Sequence, residues 1–376
     1  MAGSTPRIAF ALGGLGGFNA HGVGFLDASL SEKIAPDLIS CTSGQIYWAW
    51  RYLLQLNNEP DPESGKSVNI AAELTAEIEK TNRFPAPFQW LDGPVMAMTG
   101  DPGIFAPAVN QYWSNLLKFR FPEDLENYFR NPRDETLRRL MPAQVFVPER
   151  SPHSLTNLGL RLAREQKTGI IFNAFDARAG EEILFVNQPA LDQLEAARPG
   201  KYRNGSRHND SRIRLLDAND EQGCFAAVEA ALWLYLYGFE NPDGSERTLV
   251  DGAYHRQFII RELAPLADLV FSVRPQSTEW LAGMPRNQLQ VSNFVTQLWF
   301  NSSYSGETAR IHLINDLINR GYLQAGKPFR PIRLEPVQYD TPIHYSEYFV
   351  ERASVYQDAY DATVERIQQL KQQHIL

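Results

Sequence analysis

Ser43 is the first residue whose type and position could support chemistry. It stands in DLISCTSGQIYW (Asp37–Trp48), between a short apolar run and an amphipathic run. This pattern predicts a buried strand, a sharp turn and then a helix. A serine on such a turn has its hydroxyl clear of the backbone hydrogen bonds, near a helix N-terminus that favours negative charge. It is then either a nucleophile or an ordinary N-cap.

A glycine-rich loop follows the first predicted strand, RIAFAL (Arg7–Leu12). Its glycines are Gly13, Gly14, Gly16 and Gly17. The backbone N–H groups of such a loop approach a ligand closely and point toward an anion. The loop therefore suits an oxyanion hole or the pyrophosphate of a dinucleotide. The dinucleotide motif would place Asn19 at its third glycine, and the next strand ends in Ser40 rather than in an acid, so a nucleotide-binding oxidoreductase is disfavoured.

Asp251 and Gly252 stand at the end of another predicted strand, RTLV. A carboxylate at the carboxyl end of a strand lies at the ligand-binding edge of an α/β sheet, although an Asp-Gly turn without chemistry is the alternative. A helix is predicted to follow. It would bring His255 to the same side as Asp251, where the imidazole either orients the carboxylate or makes only local hydrogen bonds. His21, just past the glycine loop, is interpreted as a helix-surface or packing residue.

The elements that must position these residues alternate between strand and helix from the N-terminus, which predicts a parallel-rich sheet sandwiched by helices. A strand pair is predicted in Gly169–Gln188, a buried helix over Cys224–Phe239, and further strands at Ala267–Val273 and at PIRLEPV. We expect one α/β domain over residues 1–376. It contains a helical, aromatic-rich insertion at about 57–165 and a mostly helical C-terminal region at about 276–376.

Composition excludes several classes of protein. A formal net charge of −8 argues against a nucleic-acid binder, and 43% hydrophobic with 21% charged residues predicts a packed core. Cys41 and Cys224 provide neither a disulfide framework nor a zinc motif. Every apolar run is shorter than the roughly 18 residues that a membrane span needs. The sequence predicts a cytoplasmic protein, and it leaves the oligomeric state open.

Three stretches resemble, in order, the motifs of patatin-like phospholipases. ALGGLGGFNAHGVGFLDA is similar to the glycine-rich oxyanion loop of that family, ISCTSGQIYWAW to its G-x-S-x-G elbow, and LVDGAYHRQF to its Asp-Gly-Gly/Ala motif. IIFNAFDARAGEEILFV also resembles the strand pair in the middle of the family's sheet. The resemblance covers roughly residues 7–55 and 168–275. The segment 57–165 shows none of it.

The resemblance implies a patatin-like fold and a lipid acyl hydrolase, or carboxylic ester hydrolase, with a Ser-Asp dyad and no catalytic histidine. It also implies that no metal or organic cofactor is needed. Matching positions make Ser43 the nucleophile and Asp251 its partner. The implied oxyanion hole consists of backbone N–H groups at Gly14, Gly16 and Gly17. Gly44, Gly252 and His255 are supporting candidates. The implied partner is a lipid or ester substrate, met in the cytoplasm or at the surface of a membrane or lipid particle.

Four residues depart from the family's pattern. Cys41 and Gln45 stand where the elbow has glycines, and Phe18 and Asn19 stand where the loop has arginine and glycine. Gln45 is expected to point away or to push the helix outward, with local strain of about 1–3 kcal/mol. These departures suggest an alternative function, in which a patatin-fold protein with little turnover binds a lipid or a partner.

Two further groups of residues have open interpretations. The aromatic residues of the insertion either line an acyl-chain groove or lid, or close a small core; they include Phe84, Phe88, Trp90, Phe105, Tyr112, Trp113, Phe119 and Phe121. The basic residues of one loop either attract phospholipid headgroups or only face water; they are Lys201, Arg203, Arg207, Arg212 and Arg214.

Overall fold

An eight-stranded sheet organises the chain in this computed structural model. The structure describes residues 6–16, 19–85, 88–93, 105–108, 113, 117, 123–133, 147–150, 152–200, 212–241, 245–281, 283–326, 329–337 and 350–376. The strands are β1 (Ile8–Leu12), β2 (Leu38–Cys41), β3 (Phe105–Ala108), β4 (Val147–Arg150), β5 (Gly169–Asp176), β6 (Glu181–Val186), β7 (Ile213–Leu215), β8 (Leu249–Asp251), β9 (Leu269–Val273) and β10 (Arg333–Val337). The helices are α1 (Ala20–Ser31), α2 (Gln45–Leu56), α3 (Ile70–Thr81), α4 (Glu123–Arg130), α5 (Pro152–Arg164), α6 (Gln188–Ala197), α7 (Glu221–Leu232), α8 (Gln288–Asn319) and α9 (Ala353–Gln372).

The sheet has the order β10-β9-β1-β2-β5-β6-β7, and β8 pairs with β5 off this path. The five strands from β10 to β5 are parallel. β6 and β8 run antiparallel to β5. The predicted α/β class, with a mostly parallel sheet flanked by helices, is confirmed. The remaining pair, β3 and β4, forms a separate two-stranded sheet.

Both faces of the sheet are covered, as β1 shows. Its side chains alternate between two apolar clusters: Phe10 and Leu12 belong to the cluster with α1 and α2, and Ala9 and Ala11 to the cluster with α6 and α8. All five residues of β1 are buried. This explains the uninterrupted apolar run in the sequence, because a strand covered on both faces has no polar side.

Two predicted helices differ from the structure around Asp251. The helix expected over Cys224–Phe239 ends at Leu232, and Trp233 is extended with ψ 100°. The Trp233 carbonyl thereby accepts the Asp251 N–H at 2.9 Å, and its indole N–H donates to the Gly238 carbonyl at 2.9 Å. The helix expected after Asp251 is only a 3₁₀ turn, Gly252–Tyr254. Hydrogen bonds from outside each segment outweigh the local helical pattern: Asp251 binds the Trp233 carbonyl, and the Asn173 side chain binds the Gly252 and Arg256 carbonyls.

Parts of the 57–165 segment pack into the main core. The buried apolar residues of α3 and α5 that do so are Ile70, Leu74, Leu155, Leu158, Leu162 and Ala163. Of its predicted aromatic residues, Phe88 and Trp113 are 53% and 50% exposed. Tyr112, Phe119 and Phe121 lie outside the described residues.

The C-terminal region contributes to the sheet and to one helical layer. The strand predicted at PIRLEPV is β10, beside β9, and α9 packs on α1. A Cβ atom at Gly24 of α1 would lie 2.3 Å from the Tyr356 carbonyl oxygen. Glycine thus allows the two helices to approach closely. Among the described residues, helices combining the length and the apolar character of a bilayer span are absent. Of the predicted basic loop, only Arg212 and Arg214 are described.

Candidate active site

Ser43 occupies a strained turn and does not cap the helix that follows. Its φ of 52° lies in the left-handed region, which costs a residue with a Cβ atom about 1–2 kcal/mol. The N-cap of α2 is Gly44, and no side chain caps that helix. The N-cap alternative for Ser43 is therefore wrong. The Ser43 carbonyl accepts the Ile46 N–H at 3.0 Å, but its hydroxyl makes no capping hydrogen bond that would account for the strain.

The register of three strands brings Asp251 level with Ser43. β2 pairs with β5 as far as Cys41 opposite Phe172. Beyond that point β8 takes over the same edge of β5, with Asp251 opposite Ala174. Ser43 follows Cys41 by two residues, just as Ala174 follows Phe172. Asp251 therefore lies just past the carboxyl end of β2, although its own strand, β8, runs in the opposite direction to β2 and β5.

The Ser43 hydroxyl lies beside the Asp251 carboxylate and stabilises its charged form. Oδ1 of Asp251 accepts the Ala253 N–H at 2.8 Å. Oδ2 is buried and has no hydrogen bond of ordinary geometry in the described part of the chain. The contact between the two side chains is therefore looser than a full hydrogen bond. Such contacts commonly shorten only when a substrate is bound.

Burial controls the protonation of Asp251. The side chain is 0% exposed, and this desolvation raises its pKa from 3.8 to about 7, against the opposing effects of Ser43 and of the Ala253 amide. An aspartate with its ordinary pKa is a poor base at neutral pH. With a pKa near 7, Asp251 can accept and return a proton under the same conditions.

The Gly14 amide has a different role from the one expected. Its N–H donates to Thr42 Oγ1 at 3.0 Å, so it is not free to hold an oxyanion, and this part of the prediction is wrong. Thr42 Oγ1 in turn donates to the Gln257 carbonyl, and Gln257 Nε2 donates to the Gly14 carbonyl, each at 3.0 Å. A Cβ atom at Gly14 would lie 2.0 Å from the Thr42 carbonyl oxygen. Gly14 therefore lets the loop lie directly against the turn at Ser43.

Two other amides are available near the nucleophile. Within the described residues, the N–H groups of Gly16 and Gly44 donate no hydrogen bond. Gly16 has a φ of 57°, which glycine adopts without strain. A Cβ atom at Gly44 would lie 2.2 Å from the Gly16 carbonyl oxygen, so the two glycines are in contact. Gly17 and Phe18 lie outside the described residues.

Gln45 fits the elbow because α1 provides space for it. The side chain is fully buried and lies against Gly22, where a Cβ atom would be 2.1 Å from Gln45 Oε1. Its Nε2 donates to the Asn19 carbonyl at 3.1 Å. Gln45 thus points toward α1 and ties the end of the glycine loop to the elbow. The expectation that it would point away is wrong.

Neither histidine contacts Asp251 in the described residues. His255 is exposed and stacks on Phe175 at a centroid distance of 4.8 Å. His21 is buried rather than on the helix surface; its Nε2 binds the Gly13 carbonyl at 2.8 Å. Burial lowers the pKa of His21 to about 4, so its ring is neutral in the physiological range.

Asn173 is a supporting residue that sequence reasoning missed. This buried side chain of β5 donates to the Arg256 carbonyl at 3.0 Å and to the Gly252 carbonyl at 3.4 Å. A Cβ atom at Gly252 would lie 2.5 Å from Asn173 Cγ. Asn173 therefore holds the turn after Asp251, and glycine at position 252 allows it to do so. The sequence did not reveal this role, because the two carbonyl groups that accept from Asn173 are about 80 residues away along the chain.

Aromatic side chains lie next to the carboxylate. Tyr235 and Tyr254 stack at 4.3 Å, and the Tyr235 hydroxyl is close enough to Asp251 for burial and the carboxylate together to raise its pKa to about 12. Tyr254 also contacts Trp299 and Phe300 of α8. The site is therefore bounded on this side by apolar surface.

No protein-family model matches this chain, and no curated protein matches it either. In the described part of the chain, no group of three or more His, Cys, Asp or Glu side chains is placed to hold a metal ion.

Proposed function

We propose that this protein is a patatin-like lipid acyl hydrolase, or carboxylic ester hydrolase, in which Ser43 is the nucleophile and Asp251 the base. One observation carries the proposal. Ser43 has a strained backbone, and its hydroxyl does not cap α2 but lies beside a buried carboxyl group whose pKa is about 7. A serine retained in a left-handed conformation for capping alone would make a cap hydrogen bond, and α2 has none.

The reaction follows from this pair of side chains. As Ser43 Oγ attacks the ester carbonyl, Asp251 accepts the hydroxyl proton and a tetrahedral oxyanion forms. Asp251 then returns the proton to the departing alcohol, which leaves an acyl ester on Ser43. Water attacks this ester, Asp251 takes the proton of the water, and the carboxylic acid is released as the proton returns to Ser43.

The oxyanion is assigned to the amides of Gly16 and Gly44. Both are free of other hydrogen bonds in the described residues. Gly44 directly follows Ser43 at the positive N-terminal end of α2, and Gly16 contacts Gly44. Donors fixed in advance toward the developing charge commonly provide about 10²–10³ in rate each.

An apolar acyl group is the substrate chemistry that the neighbourhood favours. From Tyr254 the apolar surface continues along α8 to Trp299, which is 52% exposed. Val291, Val295 and Leu298 are also exposed, and their spacing places them on one side of the helix. Exposed apolar surface beside a catalytic pair suits a lipid ester or a lipid surface.

The test uses short-chain p-nitrophenyl esters and a fluorophosphonate probe. Wild type should hydrolyse the esters and be labelled on Ser43, and Ser43→Ala and Asp251→Asn should reduce hydrolysis by about 10³-fold or more. Ser302→Ala, an exposed serine of α8, is the matched control and should behave as wild type. Equal trace hydrolysis by wild type and Ser43→Ala would favour the weakly catalytic lipid- or partner-binding alternative, and labelling of another residue would reject Ser43.

A further inference from the structure

The N-terminus of α1 is capped in an unusual way. Asn19 is its N-cap residue, but the side chain makes no cap hydrogen bond. Instead, Asn19 Nδ2 donates to the Gly16 carbonyl at 2.6 Å, and Oδ1 accepts the Leu15 N–H at 3.5 Å. The side chain thus braces the glycine loop. The first amides of α1 consequently need an acceptor from elsewhere.

Glu351 supplies that acceptor from the C-terminal part of the chain, 332 residues from Asn19. The Asn19 N–H donates to both carboxyl oxygens at 2.9 Å, and the Ala20 N–H donates to Oε2 at 2.7 Å. Glu351 is only 5% exposed. A carboxylate at a helix N-terminus also interacts favourably with the helix dipole. Because these hydrogen bonds are buried, removing the acceptor would leave two backbone amides without a partner, which is costly.

The backbone around Glu351 is held as firmly as its side chain. Its own N–H donates to Thr81 Oγ1 at 3.3 Å, and its carbonyl accepts Asn82 Nδ2 at 3.0 Å. The next residue, Arg352, lies 3.4 Å from the Asp92 carboxylate. These contacts fix the position of Glu351, and Glu351 in turn fixes the start of α1.

Any movement of Asn19 is transmitted to the nucleophile turn. A Cβ atom at Gly44 would lie 2.3 Å from Asn19 Nδ2, so Asn19 packs directly on the residue after Ser43. Asn19 also holds the carbonyl of Gly16. Closely packed contacts of this kind leave little room for independent motion.

We propose that Glu351 is a positioning residue of the hydrolase: its carboxyl group holds Asn19, and through Asn19 it sets the Gly16 amide against Ser43. This inference rests on the proposed function. Glu351 itself touches neither Ser43 nor Asp251 through any described hydrogen bond. Its effect is expected in the transition state, where the oxyanion forms, rather than in substrate binding.

Substitution of Glu351 by alanine and by glutamine distinguishes the loss of both acceptor oxygens from the loss of one. Glu351→Ala removes every acceptor from the Asn19 and Ala20 amides. Glu351→Gln keeps one carbonyl oxygen and resembles the neutral carboxyl, a form that burial and the nearby Glu77 favour by raising the pKa of Glu351 to about 8. The expected order of kcat is therefore wild type, then Gln, then Ala.

The experiment measures kcat and KM for p-nitrophenyl esters, the rate of fluorophosphonate labelling of Ser43, and thermal stability. Glu351→Ala should lower kcat and the labelling rate by about 10²-fold, as misplacement of a catalytic group does, with little change in KM. Arg352→Gln is the matched control, because it loosens the same segment without touching the Asn19 and Ala20 amides, and it should keep the wild-type kcat. If Glu351→Ala does not fold, Glu351→Gln carries the test through its smaller loss of kcat.

The outcomes separate this proposal from the proposed function. If Ser43→Ala abolishes hydrolysis but both Glu351 variants keep the wild-type kcat, or change only KM, the positioning role is overturned and the dyad stands. A loss in Arg352→Gln equal to that in Glu351→Ala also overturns it, because the effect would then come from the segment as a whole. If Ser43→Ala retains the wild-type rate, the proposed function fails and the positioning role fails with it.

Discussion

Ser43 and Asp251 lie level with each other because two different strands share one edge of β5. β2 leaves that edge after Cys41, and β8 arrives along it from the opposite direction and ends at Asp251. The turn at Ser43 and the end of β8 therefore converge by main-chain pairing. The pairing of the strands in the sheet fixes the backbone positions of both residues, so the two side chains are close without a large conformational change.

The activity should depend on pH through Asp251. Because burial raises its pKa to about 7, the base form is scarce below that pH and predominant above it. We expect kcat/KM to rise with pH through a midpoint near 7 and then to level off. His21 should not contribute, since its pKa is lowered to about 4.

The pH profile is measured on wild type and on Glu351→Gln. The variant removes a buried carboxyl group whose pKa is raised to about 8, and it should retain the midpoint near 7. A profile that is flat from pH 5 to 9 in both proteins would contradict the assignment of Asp251 as the base.

Asp251→Asn should gain stability relative to wild type as the pH rises. In the folded protein the pKa of Asp251 is raised from 3.8 to about 7, so between these values the folded state binds more protons than the unfolded state. Wild-type stability from this group is then greatest at low pH and is lost as the pH rises toward 7. Asparagine has no charge to bury and escapes this loss.

Thermal unfolding at pH 5 and pH 8 checks this expectation. The Tm of Asp251→Asn minus that of wild type should be larger at pH 8, whereas Asp192→Asn, an exposed position on α6, should show no such trend. A difference that shrinks with rising pH would mean that the charged carboxylate is stabilised by the fold.

Ser43→Gly should be more stable than Ser43→Ala, although both lack the hydroxyl. The φ of 52° suits glycine and strains alanine, and we expect a difference of about 1 kcal/mol in the free energy of unfolding. Denaturant titration measures it. At Ser302, inside α8, the order should reverse, because alanine is favoured over glycine by about 1 kcal/mol in a helix. Equal stability of the two Ser43 variants would argue that the turn relaxes to an unstrained conformation.

Gly22 and Gln45 should show strong coupling. Gly22→Ala alone places a Cβ atom into the Gln45 amide, 2.1 Å from Oε1, and we expect it to destabilise the protein by about 1–3 kcal/mol, as overpacking does. In a Gln45→Gly background the same substitution should be tolerated. A double-mutant cycle by denaturant unfolding gives the interaction energy. Additive effects would show that Gln45 does not occupy the space above Gly22.

The sequence alone predicted the α/β class, and it selected Ser43 and Asp251 as candidate site residues. Apolar runs closed by glycine or serine specify buried strands and tight turns, and these signals are local. For the same reason the sequence misjudged the chain around Asp251. The apolar patterns before and after Asp251 predicted helices, but hydrogen bonds of Trp233 and Asn173 to distant backbone groups stabilise an extended segment and a short turn instead.

Only the tertiary structure decided how the candidate site is assembled. Residue spacing contains nothing that would reveal that Thr42 occupies the Gly14 amide, that Gly22 makes room for Gln45, or that Glu351 caps α1. Each of these relationships joins a buried group to a partner many residues away. A buried polar group must find a partner wherever the fold provides one, so the partner's identity depends on which elements pack together, and local sequence patterns do not encode it.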